Sequence, residues 1–437
     1  MARPPLEPLL TRLQSALVET PPGRSVWVAL SGGLDSTLLL TLAAAVCKEA
    51  QIPLRAMHVN HGLQTAADAF EQHCQALCQR LNVPLTLARV TVEPSGQGVE
   101  GAAREARYGA FATHIPPGDT LWLAQHQDDQ AETFLLAALR RSGIRGLAAM
   151  PRVREWRGVW LIRPWRDVPK QRLESAAQAL DLQWCDDPSN CDTHFDRNFL
   201  RHRVLPVLAE RWPQVRGAFA ACAEQAGEAD ALLGEYAAEE LNALTCGPGQ
   251  LDAKALRQRC PARQRLLIRR FCQQRGIATP PRKRLESLLT QLDAANDAQV
   301  CVTWEAAEAR VWQQRLYLMP ARAPLPAWQT WWNGRAPLVT PLGEVPLSVV
   351  SQAPLMATWR QGGEVLELPA RGRRDLKRLL QETRIPPWER ERVVVIWKAH
   401  PDGALLHCVA ALHPPTGCYW RAAGWTVLWE GASAPQA

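Results

Sequence analysis

Six residues, Ser31-Gly32-Gly33-Leu34-Asp35-Ser36, stand between an apolar run, Val26 to Leu30, and a helix-like run, Leu38 to Ala43. Adjacent glycines let a backbone turn sharply and approach a ligand closely, and the helix that follows offers unpaired N–H groups and its positive end to an anion. Ser31, Ser36 and Thr37 add hydroxyl donors. Asp35 would repel a phosphate unless a divalent cation lay between them, so the stretch reads as a cradle for a magnesium nucleotide. No G-x-x-x-x-G-K-[ST] occurs in the chain, and the terminal phosphates therefore need an anchor other than the lysine of that loop.

A second group lies in Gln125-His126-Gln127-Asp128-Asp129-Gln130-Ala131-Glu132-Thr133, which enters an apolar helix. One carboxylate caps such a helix, and the second, with Glu132, is left to bind a cation or an amine; solvated first-turn acids are the plain alternative. Arg104 and Arg107, three apart on one helical face, suit bidentate contact with phosphate, or else pair with Glu100 and Glu105 at the surface. His58-Val59-Asn60-His61-Gly62-Leu63 suits a loop that reads a base or ribose, although histidines at a strand end are as often structural. Gly96 to Gly101 fits G-x-G-x-x-G, but Pro94 and Ser95 interrupt the turn and a better phosphate loop follows the first run, so a dinucleotide site is rejected. Arg140 to Leu147 is a basic loop containing Arg145, and Arg197-Asn198-Phe199-Leu200-Arg201 opens a helix whose arginines either coat a surface or face the nucleotide.

These groups need strands to hold them. Short apolar runs at 26–30, 54–59, 85–92 and 120–124 alternate with helical patterns at 34–49, 65–81 and 101–112, which predicts an α/β fold with a doubly wound parallel sheet and ligands at the carboxyl ends of its strands. An amphipathic helix precedes them, with Leu9, Leu10, Leu13, Ala16 and Leu17 on one stripe. Beyond 212 the pattern changes. Helical stretches from 218 to 292, carrying Arg265 and Arg269 among many arginines, predict a small helical domain with a basic surface. A Pro/Trp-rich stretch then reads as a linker, and strand-like runs around a basic turn with Arg373, Arg374, Lys377 and Arg378, followed by Ile385-Pro386-Pro387-Trp388-Glu389-Arg390, read as a C-terminal α+β domain. Arginines on a glycine turn near a tryptophan suit RNA backbone contact, with a solvated charged turn as the alternative. The expected boundaries are 1–212, 213–320, 321–345 and 346–437.

Composition sets outer bounds. The chain has 437 residues, 47% hydrophobic and 21% charged, and no apolar run near the ~18–20 residues of a membrane span. Its N-terminus lacks the apolar segment of a signal peptide, so a soluble cytoplasmic protein without a membrane partner is expected. The twelve cysteines include no C-x-x-C pair, and Cys74 and Cys78 beside His73 read as buried thiols rather than metal ligands. Residues 1–211 carry 23 Lys/Arg against 22 Asp/Glu, whereas 212–437 carry 27 against 21. Nearly all of the net charge of +7 therefore sits in the second half, consistent with catalysis in one part and polyanion binding in the other.

Taken in order, SGGLDS at 31–36, HVNHGL at 58–63, E-x-A-A-R-x-x-R-Y at 100–108, H-x-D-D-Q-x-E-T at 126–133, R-N-x-x-R at 197–201 and IPPW-x-R at 385–390 resemble the long bacterial form of the tRNA(Ile)-lysidine synthase family, within the ATP pyrophosphatases with a PP-loop. Gln125, where this family often has His, and Gly101, where Ala is usual, depart from the pattern without removing a carboxylate. The resemblance implies ATP-dependent attachment of free L-lysine to C2 of the wobble cytidine in isoleucine tRNA with a CAU anticodon. An adenylated cytidine would be the intermediate, and AMP and pyrophosphate the by-products. It assigns ATP binding to Ser31, Gly32, Gly33, Leu34, Asp35, Ser36, His58 and Arg107, magnesium to Asp35 and Asp129, and adenylate clamping to Arg104 and Arg201. Glu132 and His126, with Asp129, are the candidates for binding or deprotonating lysine, and Arg145, Arg265, Arg269, Arg373, Arg374, Lys377 and Arg378 for holding tRNA. The rivals are a PP-loop tRNA thiolase, which would want cysteine pairs, and a tRNA-binding protein with a dead nucleotide site; oligomerisation stays open.

Overall fold

In a computed structural model of the chain, residues 6–61, 67–92, 98–292 and 300–430 are described. Gly62 and Leu63 of the histidine motif, Gly96 of the glycine-rich match and the Glu100 side chain lie outside that description. The chain divides into two compact units, Met1–Tyr236 and Ala237–Ala437.

The first unit begins with the expected amphipathic helix, α1 (Glu7–Val18), which buries Leu9, Leu13, Ala16 and Leu17. Strands β1 (Val26–Ala29), β2 (Leu54–Asn60), β3 (Leu85–Arg89) and β4 (Thr120–Trp122) alternate with α2 (Leu34–Glu49), α3 (Ala67–Leu81) and α4 (Gly98–His114). After α5 (Gln127–Leu139) and α6 (Ile144–Leu147) come a hairpin, β5 (Val153–Trp156) and β6 (Val159–Ile162), and helix α7 (Lys170–Ala179). The sheet order is β3-β2-β1-β4-β6-β5, parallel except for β5, which pairs antiparallel with β6. This is the predicted doubly wound sheet. Because side chains alternate across a strand, Val26 and Val28 of β1 join Leu38, Leu39, Leu173 and Trp165 on one face. Trp27 meets Tyr108, Phe111 and Leu121 on the other. Strand order reverses beside β1, where β2 lies on one flank and β4 on the other, and such a switch point opens a crevice at the strands' carboxyl ends. A helical run then follows as α8 (Asp196–Phe199), a π turn over Leu200–Val204 and α9 (Leu205–Arg211), and the long α10 (Val215–Leu244) leads out of the unit. Among the described residues no helix is long and apolar enough to cross a membrane.

The second unit contains the predicted helices, α11 (Ala253–Arg257), α12 (Pro261–Gln274) and α13 (Arg282–Gln291), together with strands that periodicity did not reveal. Five strands, β7 (Thr245–Gly247), β8 (Gln250–Asp252), β9 (Val300–Trp304), β10 (Ala307–Trp312) and β11 (Arg315–Pro320), form a sheet in the order β7-β8-β11-β10-β9. Leu267, Ile268, Phe271, Leu285 and Leu288 share its core with Val302, Leu316 and Leu318. The β10–β11 turn uses Gln313 and Gln314, both at positive φ, where Asn-Gly would ordinarily mark a hairpin, which hides it from a sequence reading.

The Pro/Trp-rich stretch is also more than a spacer. Its β12 (Gln329–Trp332) is the edge of a second antiparallel sheet, β12-β16-β19-β20-β21, built with β16 (Leu355–Trp359), β19 (Val394–Ala399), β20 (Leu405–His413) and β21 (Cys418–Arg421). Three two-stranded ladders complete the unit: β13 (Leu338–Thr340) with β14 (Gly343–Val345), β15 (Leu347–Val349) with β22 (Val427–Trp429), and β17 (Val365–Leu368) with β18 (Gly372–Asp375), the last leading into α14 (Leu376–Glu382).

Candidate active site

The loop after β1 is shaped by its own serine and by glycine. Ser36 Oγ accepts from the N–H of Ser31 (3.1 Å) and of Gly32 (3.2 Å) and donates to the Gly33 carbonyl (3.1 Å). Gly32 has φ +90°, and a Cβ there would meet Phe70 Cδ1 at 3.1 Å and Cys74 Sγ at 3.3 Å, so both conformation and space demand glycine. Gly33, in extended conformation, precedes the first residue of α2, and the helix therefore presents its N-terminus at the carboxyl end of β1. His58 sits in β2, buried, with Nδ1 donating to the Leu30 carbonyl at 2.9 Å; it braces the strand end from which the loop departs. Burial lowers its pKa, which favours a neutral ring.

Three acidic or imidazole side chains converge at the switch point. Asp35 comes from the first turn of α2; His126 and Asp129 come from the start of α5, which follows β4. His126 Nε2 lies 3.7 Å from Asp35 Oδ2 and 3.5 Å from Asp129 Oδ2, and Asp129 Oδ2 also accepts from the His126 N–H at 3.0 Å. Burial raises the Asp35 carboxyl above its usual range, against the opposing pull of His126 and Lys170, and its Oδ1 is buried without a hydrogen-bond partner. Burial also pushes Asp129 upward, but His126, Arg197, the backbone hydrogen bond and Arg201 outweigh it and hold the carboxyl below the usual range. A buried, unpartnered carboxylate oxygen beside a second carboxylate at a phosphate loop is the donor set that Mg2+ takes, since that ion is held by one or two carboxylates and completes its shell with substrate phosphates and water. Asp128 is differently employed: Oδ1 accepts from the Lys170 N–H (3.1 Å) at the start of α7, and Oδ2 pairs with Arg216 Nε (2.9 Å).

Glu132, one turn along α5 and buried, is held by two guanidinium groups. Arg197 Nε donates to Oε2 at 2.7 Å; Arg201 donates through Nε to Oε1 at 2.6 Å and through Nη2 to Oε2 at 2.9 Å. The same arginines reach Asp129 Oδ1, at 3.1 and 3.4 Å. Arg201, expected as an adenylate clamp, is a partner of Glu132 and Asp129, and Glu132 is bonded to both arginines. Arg197, which the sequence marks through the R-N-x-x-R motif but which was not among the expected site residues, shares these partners, and its i, i+4 spacing from Arg201 sets both guanidinium groups on one helical face. Between them Asn198 Nδ2 donates to the carbonyls of Ser189 (2.8 Å) and Asp192 (2.9 Å), while the Cys185 N–H donates to Gly32 O (2.9 Å). Residues 185–192 therefore tie the arginine helix to the glycine loop.

Arg104 and Arg107 lie on α4. The Arg104 guanidinium lies 5.0 Å from the Tyr108 ring centroid, with Nη2 donating to Tyr108 Oη at 3.4 Å. Arg107 acts electrostatically on His61, whose pKa is lowered by burial first and by this cation second. Gln125 has a use that sequence reasoning missed: its Oε1 accepts from Arg163 Nε at 2.7 Å, and that buried guanidinium also donates to the Pro151 carbonyl at 2.8 Å. Arg145 is exposed on α6, and in the second unit Arg373, Lys377 and Arg378 are exposed around the β17–β18 turn and α14. Arg265 and Arg269 lie half-buried on α12, where burial and the neighbouring Arg265 and Arg282 lower the pKa of Arg269. Trp388 does not face outward with those arginines: Tyr317 and Trp312 pack edge-on to it at 5.0 and 6.3 Å, and Arg310 lies over its ring at 5.2 Å. Cys74 and Cys78 are buried thiols, as expected, with burial pushing Cys78 up to about 11.

A family described as the PP-loop domain matches residues 6–208, which contain the sheet, the glycine loop and the convergent carboxylates. The TilS substrate binding domain matches 251–317 and the TilS substrate C-terminal domain 355–406. Fold and site thus define a PP-loop protein that uses ATP, with two further domains. The tRNA(Ile)-lysidine synthase of Xanthomonas axonopodis pv. citri is 43% identical over 404 residues, covering 90% of this chain and 91% of that protein. The synthase of Pseudomonas aeruginosa is 41% identical over 446 residues, with 98% of each chain covered. The chain belongs to the tRNA(Ile)-lysidine synthase family.

Proposed function

We propose that this protein joins free L-lysine to C2 of the wobble cytidine of isoleucine tRNA bearing a CAU anticodon, using ATP and releasing AMP and pyrophosphate. The observation that carries the reading is the meeting of Asp35, His126 and Asp129 at the β1/β4 switch point, beside the glycine loop and under the paired arginines. The α2 N-terminus beside the glycine loop holds the pyrophosphate portion of ATP, while the cytidine C2 oxygen attacks the α-phosphorus and pyrophosphate leaves. Asp35 and Asp129 would hold Mg2+, which when bound offsets charge developing on the phosphates. Arg197 and Arg201 keep Asp129 ionised and in place through their joint grip on Glu132.

Lysine then attacks C2 through its ε-amine and AMP departs. The ammonium must first lose a proton, from an ordinary pKa near ~10.4. With Glu132 bonded to two arginines, His126, whose Nε2 lies between Asp35 and Asp129 at 3.7 and 3.5 Å, is the group that takes this proton. The basic faces of the second unit, at Arg265 and Arg269 and at Arg373, Arg374, Lys377 and Arg378, supply phosphate contacts to the tRNA. The test is AMP release from ATP in the presence of unmodified tRNA with a CAU anticodon. Release that requires the wobble cytidine supports the reading, and equal release with uridine in its place refutes it.

A further inference from the structure

The helix that carries Arg197 and Arg201 has a second face. Phe195, immediately before α8, and Phe199, at its end, are 37% and 48% exposed, whereas the two arginines between and beyond them turn to Glu132 and Asp129. Alongside lie Leu139 and Ile144, 70% and 39% exposed, from the end of α5 and the start of α6. An ion pair between Arg140 Nη2 and Asp196 Oδ2 at 3.6 Å brings the two segments together. Arg141 and Arg145 stand exposed at the same end of α5, with no carboxylate partner among the described residues. An apolar, partly aromatic surface with unmatched cations is complementary to single-stranded nucleic acid, whose bases stack on rings while its phosphates meet arginines. Duplex RNA offers no free base face to such a surface, and an acidic or wholly apolar protein partner would match only half of it.

Resting on the proposed function, we infer that Phe195 and Phe199 form a stacking platform for an unpaired anticodon-loop base next to the reacting cytidine, with Arg141 and Arg145 on the adjoining phosphates. The platform lies across one helix from the carboxylate cluster, roughly 10 Å. It would hold the loop open while the wobble base enters the site.

The test uses the full-length enzyme and unmodified tRNA with a CAU anticodon, and reads tRNA binding directly, apart from lysine transfer. Phe195→Ala with Phe199→Ala should weaken tRNA binding about tenfold to a hundredfold. Affinity for ATP and the thermal midpoint should stay as in wild type. Phe199→Trp should restore binding, Phe199→Leu should not, and an abasic nucleotide beside the wobble position should weaken the wild type but add nothing to the double variant's loss. Unchanged binding by the double variant, or full binding by Phe199→Leu, overturns the platform. So does sedimentation showing a wild-type dimer that the substitutions dissociate, since the patch would then cover a second copy. A wild-type enzyme that binds tRNA but transfers no lysine contradicts the proposed reaction instead, a result the binding arms keep distinct.

Discussion

Asp35 and Asp129 face the same imidazole, yet their surroundings push them in opposite directions. Asp35 is desolvated with one oxygen unpartnered, so its charged form costs folding energy; Asp129 is stabilised as a carboxylate by Arg197 and Arg201. Asp35→Asn should therefore raise the thermal midpoint of the ligand-free protein at pH 7 while abolishing activity, and Asp129→Asn should lower it, with a loss of stability of about 1–3 kcal/mol, because two arginines lose an ionic partner. Thermal melts of both variants without ATP or magnesium test the contrast; equal shifts of one sign would contradict it. Asp35, His126 and Asp129 were legible in sequence because each lies directly after a strand-like run. The opposite shifts of the two aspartates were not, because Arg197 and Arg201 reach Asp129 across more than sixty residues of chain.

At the scale of elements, the helical run through Arg197 and Arg201 is held by side-chain bonds as well as by the burial of Leu200 and Leu205. Asn198 ties it to the turn at Pro188–Cys191, whose backbone neighbour Cys185 bonds the glycine loop. Asn198→Ala removes both bonds without touching a carboxylate, and it should lower turnover roughly 10- to 100-fold, as misplacement of a catalytic constellation does, with ATP binding little changed. A turnover within twofold of wild type would show that the helix is held by other means. The parallel sheet was legible because apolar runs alternated with 3.6-residue periodicity. The sheet at β7–β11 was not, since its strands are short and turn on glutamines, and β12 was hidden in a stretch whose prolines and tryptophans read as a linker.

For the molecule as a whole, the chain divides into a unit holding the nucleotide loop and a basic unit that matches the two substrate domains. Within the second unit Trp388 and Glu389 act as a joint. Glu389 meets Arg322, which also approaches Glu308, and its Oε2 lies 3.6 Å from Nε2 of the fully buried His413. Burial raises the Glu389 carboxyl, but His413 and Arg322 bring it down to about 2. Its depressed pKa contributes stability above an ordinary carboxylate pKa of about 4.5, lost as pH falls toward 2, and on the order of 3 kcal/mol. Glu389→Gln should therefore be less stable than wild type from pH 5 to 8 and converge with it in strong acid; parallel stability curves across that range would contradict the role. The division of labour carries its own expectation. Asp35→Ala should lose modification yet bind tRNA within a few-fold of wild type, with a salt dependence set by the phosphates contacted. Collapse of tRNA binding in that variant would mean that the nucleotide loop and tRNA affinity are not separable.

The central claim is tested most directly by incorporation of labelled lysine into unmodified isoleucine tRNA with a CAU anticodon, with and without ATP. ATP-dependent incorporation that disappears when the wobble cytidine is replaced is the predicted result. ATP cleavage to AMP without lysine entering the tRNA would contradict it.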